Sequence, residues 1–362
     1  MTSALVKIRK VLAEKKAVVF WLPNHEKSGQ PATRYLSGFA GTDSHILITK
    51  NRAYFLTDSR YLTNIEKRVK GYTILDVSRQ KQGELLKKLL PQKGKGRVLI
   101  DGSVISVSSA ENARNVAKNI EVVNVDGLLK HIRQVKTLAE IKLLRKAASI
   151  SCKAFALLLP HIKTGVTEKK VAETLKRLLE KCGAEGLSFE PIIASGKNAA
   201  LPHAVPTNKK IKSGELVVID FGVLYRGYVS DMTRTVAIGR ISDKLNEMYE
   251  AVREAQEAGC AQMRAGLSAQ TIDATCRSIL KKHKLDQYFT HATGHGIGME
   301  VHELPIISSK ATNLLQVNEV VTCEPGVYIA GLGGVRIEDS LVVTEKGSQN
   351  LTSSVEKKLI VL

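Results

Sequence analysis

The chain has 362 residues, 43% of them hydrophobic, 25% charged and 5% aromatic, and carries a net charge of +19. That length exceeds one typical core, and the apolar share is enough to fill two, which excludes global disorder. No apolar run approaches the roughly 18 residues of a membrane span, so no membrane partner is expected.

In chain order, Met1–Lys16 places apolar and basic residues at helical spacing and has neither the apolar stretch nor the cleavage site of a secretory leader. Strand patterns follow at Ala17–Leu22, His45–Thr49, Ala53–Leu56, Tyr72–Leu75, Arg97–Ile100 and Glu121–Val125, and helical ones at Tyr61–Val69, Gln82–Leu90 and Ser108–Asn119. Interspersed apolar strands and amphipathic helices predict an α/β domain over residues 1–135. No glycine-rich phosphate loop follows any of these strands, so a nucleotide site has no support. Residues 1–136 hold 25 Lys+Arg against 11 Asp+Glu, and the remainder 29 against 24. The basic residues are dispersed apart from short clusters such as Lys93–Arg97 and are not interleaved with aromatics, which argues against nucleic acid as a partner.

Beyond a boundary near Arg133–Thr137, a second domain over 136–362 opens with a helical pattern at Leu138–Leu159, with Ile141, Leu144, Ala147, Ala148 and Cys152 along one face. Further helices fit Val166–Lys181, Lys244–Ala265 and Ala269–Lys282. Strand-like segments fit Phe189–Ala194, Glu215–Gly222, Tyr228–Ala237, Val320–Ile329 and Gly334–Thr344. Two helix pairs, each tied to antiparallel strands, suggest two related halves of an α+β domain. The five cysteines, Cys152, Cys182, Cys260, Cys276 and Cys323, are odd in number and lack short metal-binding spacing, which fits reduced thiols in a cytoplasm.

Two hairpins carry the chemistry. In the first, a turn centred between Tyr225 and Arg226 would set Asp220 opposite Asp231, with Cβ atoms about 4.5–5.5 Å apart. In the second, a turn centred on Gly331 would set Glu324 opposite Glu338. Two hairpins would then aim four carboxylates at one point, a charge of −4 that two divalent cations balance. Carboxylate-rich ligation without thiolate favours manganese, with cobalt or zinc as alternatives. The segment His291–Glu303 adds His291, His295 and His302, with glycines on both sides of His295 that let the backbone approach a crowded centre. His203, in the loop Asn198–His203, is a further candidate.

The segments Ile219–Gly222, Ser230–Thr235, Thr293–Gly298, Glu324–Gly326 and Val335–Asp339 resemble, in order and spacing, the signature segments of the pita-bread metallopeptidases. The branch holding Xaa-Pro aminopeptidase and prolidase is the most similar. The N-terminal part resembles that branch more loosely, through Arg34–Phe39 and Thr57–Tyr61. The resemblance implies a creatinase/prolidase-like α/β N-terminal domain and a pita-bread catalytic domain. It further implies hydrolysis of the bond before a proline, two metal ions, peptide substrates and a homodimer. By the same resemblance Asp220 would chelate one ion, Asp231 and Glu338 would bridge both, and His295 and Glu324 would complete the other shell. His302 would stabilise the tetrahedral intermediate or shuttle a proton, His203 and His291 would contact substrate, and Arg336 would support the site. Some prolidases in the family place an arginine where this chain has Ile306, which tilts the expectation to the aminopeptidase with the dipeptidase as alternative. A non-catalytic binding protein on the same fold is the reading of another class, and all five filled ligand positions argue against it.

Overall fold

The computed structural model of the protein describes residues 3–26, 28–63, 65–78, 82–90, 96–117 and 120–362. Met1, the basic run Lys93-Gly94-Lys95 and the expected helix end at Asn119 lie outside the described residues. The chain divides into two compact units, Met1–Ile132 and Arg133–Leu362.

The first unit runs α1 (Ser3–Glu14), β1 (Val19–Asn24), α2 (Ala32–Ser37), β2 (Ser44–Thr49), β3 (Ala53–Thr57), α3 (Ser59–Leu62), α4 (Ile65–Arg68), β4 (Thr73–Asp76), α5 (Gln82–Leu89), β5 (Arg97–Ile100), α6 (Val107–Val116) and β6 (Glu121–Asn124), and α7 (Leu128–Gln134) crosses into the second unit. Its strands form one mixed sheet in the order β4-β3-β2-β1-β5-β6. The central strands are apolar on both faces, as strands covered by helices must be, and Phe20, Trp21, Ile46, Phe55 and Leu99 are fully buried. The single helix expected over Tyr61–Val69 is two short ones, because Thr63 leaves the helical region with an extended backbone.

The second unit runs α8 (Leu138–Leu158), α9 (Glu168–Lys181), β7 (Gly186–Leu187), β8 (Ile192–Ser195), β9 (Leu216–Phe221), β10 (Val223–Tyr225), β11 (Tyr228–Val229), β12 (Met232–Ala237), α10 (Asp243–Gln262), α11 (Ala269–Lys282), β13 (Gly294–Gly296), β14 (Glu303–Ile307), β15 (Val320–Cys323), β16 (Gly326–Ile329), β17 (Gly333–Arg336), β18 (Asp339–Val343), β19 (Ser348–Asn350) and β20 (Ile360–Val361). Helices α8 and α9 pack as one pair and α10 and α11 as another. Thr137 starts α8 with a capping box in which its side chain and that of Glu140 satisfy each other's backbone N–H. One sheet has the order β20-β12-β9-β8 and another β14-β13-β15-β18-β19.

Three segments expected as continuous strands are each broken in two. The breaks fall at Ser230-Asp231, Glu324-Pro325 and Ile337-Glu338. At two of them the freed backbone bonds elsewhere: Glu338 N–H donates to Thr233 O at 3.0 Å and Glu324 N–H to Thr293 O at 2.8 Å. Pro325 has no N–H to give to a ladder. Asp231, Glu324 and Glu338 therefore sit where strands leave one partner for another, while Asp220 stays within a continuous strand. All five cysteines are free, and among the described residues no helix is long and apolar enough to cross a membrane.

Candidate metal centre

Asp220 lies on β9, whose six residues are all buried. Its partner across the ladder is Thr233, and not Asp231 as the sequence suggested. The turn is centred one residue later than expected. Arg226 and Gly227 both take positive φ, at 49° and 85°, which gives the two-residue turn that matches the twist of a hairpin. Tyr225 then faces Tyr228, and the same register runs on to Asp220 and Thr233. Asp231 sits two residues before Thr233, on the same face, and so approaches Asp220 diagonally. Gly222 stands opposite Asp231 where the ladder opens, and a Cβ there would lie 1.8 Å from Ser230 O, so the close approach admits no side chain.

The second hairpin keeps the expected register. Gly326 pairs with Arg336 on one side of the break and Cys323 with Asp339 on the other. Glu324 and Glu338 occupy the gap between these pairs. His295 enters from β13, where a Cβ on Gly294 would lie 2.1 Å from Thr322 O and one on Gly296 2.1 Å from Leu304 O. The backbone is thus pressed between two strands, with His295 N–H bonded to Thr322 Oγ1 at 3.0 Å.

These elements converge. His295 Nε2 lies 3.1 Å from Glu324 Oε1 and 3.7 Å from Asp231 Oδ2. Oxygens of Asp231 and Glu338 and a nitrogen of His295 all fall within 4.8 Å of one another. Arg336 Nη2 donates to Asp220 Oδ2 at 2.5 Å, and Thr233 Oγ1 to Glu338 Oε2 at 2.7 Å. The other oxygens, Asp220 Oδ1 and Glu338 Oε1, are buried with no hydrogen-bond partner.

The electrostatics follow. Burial, then the neighbouring acids, push Asp231 and Glu338 well above the usual carboxylate range. Burial also raises Asp220, against the pull of Arg336. Glu324 goes the other way: burial is outweighed by its hydrogen bond to His295 and the charge of that ring. Burial works against a charged His295, yet Glu324 and Asp231 outweigh it and lift the ring to about 9. Such a pocket needs either protons or cations. Two orphaned oxygens, a converging imidazole and four acids without a thiolate are a donor set that fits hard or intermediate divalent ions.

The remaining expected residues are near. The His302 ring packs at 4.5 Å, edge to face, against His295, on a bend that leads into β14. Burial and then the His295 charge lower its pKa. His291 is held by the protein at both nitrogens: Nδ1 donates to Ala292 O at 2.8 Å, and Nε2 accepts from Tyr328 Oη at 2.9 Å. That tautomer follows because Ala292 O can only accept, which leaves Nε2 to accept the proton of Tyr328 Oη, itself bonded by Arg336 Nη1 at 2.7 Å. His203 is exposed on its loop, close enough for its charge to depress both His291 and His302. Sequence reasoning missed Tyr328, Thr233 and Thr322. Each lies an even number of residues from an acid, which is the available signal.

Comparison with known proteins places this site in context. The model of metallopeptidase family M24 matches residues 142–345, and that of the creatinase/prolidase N-terminal domain matches residues 5–135. A Xaa-Pro dipeptidase of Pyrococcus furiosus is 41% identical over 72% of this chain and 74% of its own. A solved Xaa-Pro dipeptidase from Bacillus anthracis superimposes with a TM-score of 0.92 at 38% identity, over 99% of each chain. An X-Pro aminopeptidase from Thermotoga maritima superimposes with a TM-score of 0.89 at 34% identity, covering 97% of this chain and 99% of the other.

Proposed function

The chain belongs to metallopeptidase family M24, and from that membership we propose that it hydrolyses the peptide bond between an N-terminal residue and a following proline. The observation that carries this reading is the convergence of Asp231, His295 and Glu338 on one point, beside the orphaned oxygens of Asp220 and Glu338. Asp220, Asp231, His295, Glu324 and Glu338 would hold two divalent ions, with manganese favoured by the oxygen-rich donor set. Bound there, such ions polarise a carbonyl and lower the pKa of water toward about 7.

The chain's own side chains do the rest. His302, packed edge to face against His295 and exposed, would hydrogen-bond the oxygen of the tetrahedral intermediate or pass a proton to the leaving nitrogen. Arg336 holds Asp220 and, through Tyr328, fixes the His291 ring, so the wall beside the site is set before substrate arrives. His203 presents an exposed imidazole to bound peptide. A bond before proline is a tertiary amide without an N–H, so recognition must come from shape around the ring and from contacts to the flanking carbonyls. His203 and the ring of His291 would contact the substrate near the proline side.

Chain length of the substrate separates two readings. Ile306 faces His295 across the β13–β14 ladder and is half-exposed. An apolar residue there supplies no cation of its own for the free carboxylate of a dipeptide, which supports the aminopeptidase. The dipeptidase is the second reading, favoured by the similarity to the Bacillus anthracis structure. A cytoplasmic homodimer completes the proposal: the free thiols support the compartment, and the family resemblance supports the dimer. Turnover of Xaa-Pro-Yaa against Xaa-Pro with manganese tests the assignment. The longer substrate is expected to be cleaved faster, and cleavage of the dipeptide alone overturns the aminopeptidase.

A further inference from the structure

Glu168, at the start of α9, is completely buried and is not part of the metal centre. Its two oxygens collect an unusual set of donors. Oε1 accepts from Ser195 N–H at 2.8 Å, Ser195 Oγ at 2.8 Å and Asn198 Nδ2 at 3.1 Å. Oε2 accepts from Asn198 Nδ2 at 3.0 Å, Thr207 N–H at 3.1 Å and Thr207 Oγ1 at 2.6 Å. Ser195 ends β8 and Thr207 lies where the chain returns to the α9 start, with Lys169 N–H bonded to Thr207 O at 3.0 Å and Glu168 N–H to Lys209 O at 3.1 Å. One carboxylate therefore ties both feet of the intervening loop.

The loop between these feet carries His203. Its far end reaches the metal centre, since Pro202 O accepts from Arg336 Nη1 at 3.3 Å, on the same guanidinium that holds Asp220. Its near end lies against β17, where a Cβ on Gly334 would come within 2.0 Å of Ala199 O. The tip of the loop is apolar and exposed at Leu201 and Val205, and only Ala199 and Ala204, in a small buried cluster with Ala194 and Val218, anchor it by packing. The clasp at its base supplies what the tip lacks.

We propose that Glu168 is a positioning residue: by clasping both ends of the 195–207 loop it sets the place of His203 beside the metal centre. The proposal rests on the Xaa-Pro reading for the role of His203, and on the hydrogen bonds alone for the clasp. Glu168→Gln swaps one acceptor oxygen for a donor facing other donors, and Thr207→Val removes one foot at an exposed position should the first variant fold poorly. In either variant, amide hydrogen exchange over residues 196–206 is expected to rise about tenfold or more while β9 and β12 keep their protection. kcat/KM on a Xaa-Pro-Yaa peptide is expected to fall about tenfold in Glu168→Gln, and to fall no further when Glu168→Gln is added to His203→Ala. Unchanged exchange in the loop, or losses that multiply in the double variant, would overturn the proposal. A wild-type protein that cleaves no Xaa-Pro peptide retires the functional reading, and the exchange measurement then decides on the clasp by itself.

Discussion

Two buried arginine–aspartate pairs stand a few residues apart in the catalytic unit and differ in one respect. Arg234 spends all five donors: on Thr233 O, Glu338 O, Val355 O, Glu356 O and Asp339 Oδ1. Asp339 in turn receives Arg234, Thr352, Gln256 and Lys357. Burial raises the Asp339 pKa, and these partners overcome it to hold the carboxyl at about 2. Arg336 and Asp220 make an equally close contact, yet Asp220 keeps one oxygen without a partner and burial leaves its pKa raised. A fully satisfied pair ties strands together, and a pair with a vacant acceptor beside other acids is arranged for something that is not protein. Burial and salt-bridge distance are alike in the two, so only the accounting of lone pairs separates them.

The largest test of that contrast exchanges the damage. Asp220→Asn is expected to lower kcat/KM by about a thousandfold or more, because a ligand for the proposed ions is lost. Without added metal its unfolding free energy should change little, since the amide oxygen of Asn can still accept from Arg336 Nη2 and the lost charge relieves repulsion among the neighbouring acids. Arg234→Met should do the reverse to stability, costing about 3–5 kcal/mol by stranding Asp339 and several carbonyls. Urea unfolding with and without manganese reads both, and a stability loss from Asp220→Asn equal to that of Arg234→Met would break the distinction.

A smaller effect extends it to the N-terminal unit. His45 accepts a hydrogen bond from Trp21 Nε1 at 3.1 Å. Burial, then the His25 charge, lower its pKa to about 3, against a smaller upward pull from Asp43. The folded chain therefore refuses a proton that the unfolded chain binds below about 6.5, so this stability is complete above that pH and is lost as pH falls toward 3. The loss amounts to about 2 kcal/mol at pH 5. His45→Gln should flatten the pH dependence of unfolding between pH 6.5 and 5, and an unaltered slope would count against it.

Much of this molecule was legible in its sequence. The strand Arg97–Ile100 and the helix Ala269–Lys282 have the expected bounds, because Gly96 and the Ser268 turn mark their edges and their apolar patterns are uninterrupted. The second hairpin kept its register because Gly331 marks its turn. The first did not, since a non-glycine residue, Arg226, takes positive φ and moves the turn by one residue. The breaks at Asp231, Glu324 and Glu338 were invisible to pattern, because a buried acid in an apolar strand reads the same whether the ladder continues or opens. The clasp at Glu168 was equally hidden: its six contacts join residues up to 39 positions apart.

In the proposed enzyme Asp220, Asp231, His295, Glu324 and Glu338 share their pocket with cations. Calorimetric titration of manganese into chelator-treated protein, beside the Glu338→Gln variant, measures this directly. Two ions bound per wild-type chain, with binding weakened at least about a hundredfold in the variant, is the predicted result. A wild-type chain that binds no divalent ion, or a variant that binds as the wild type does, would contradict it.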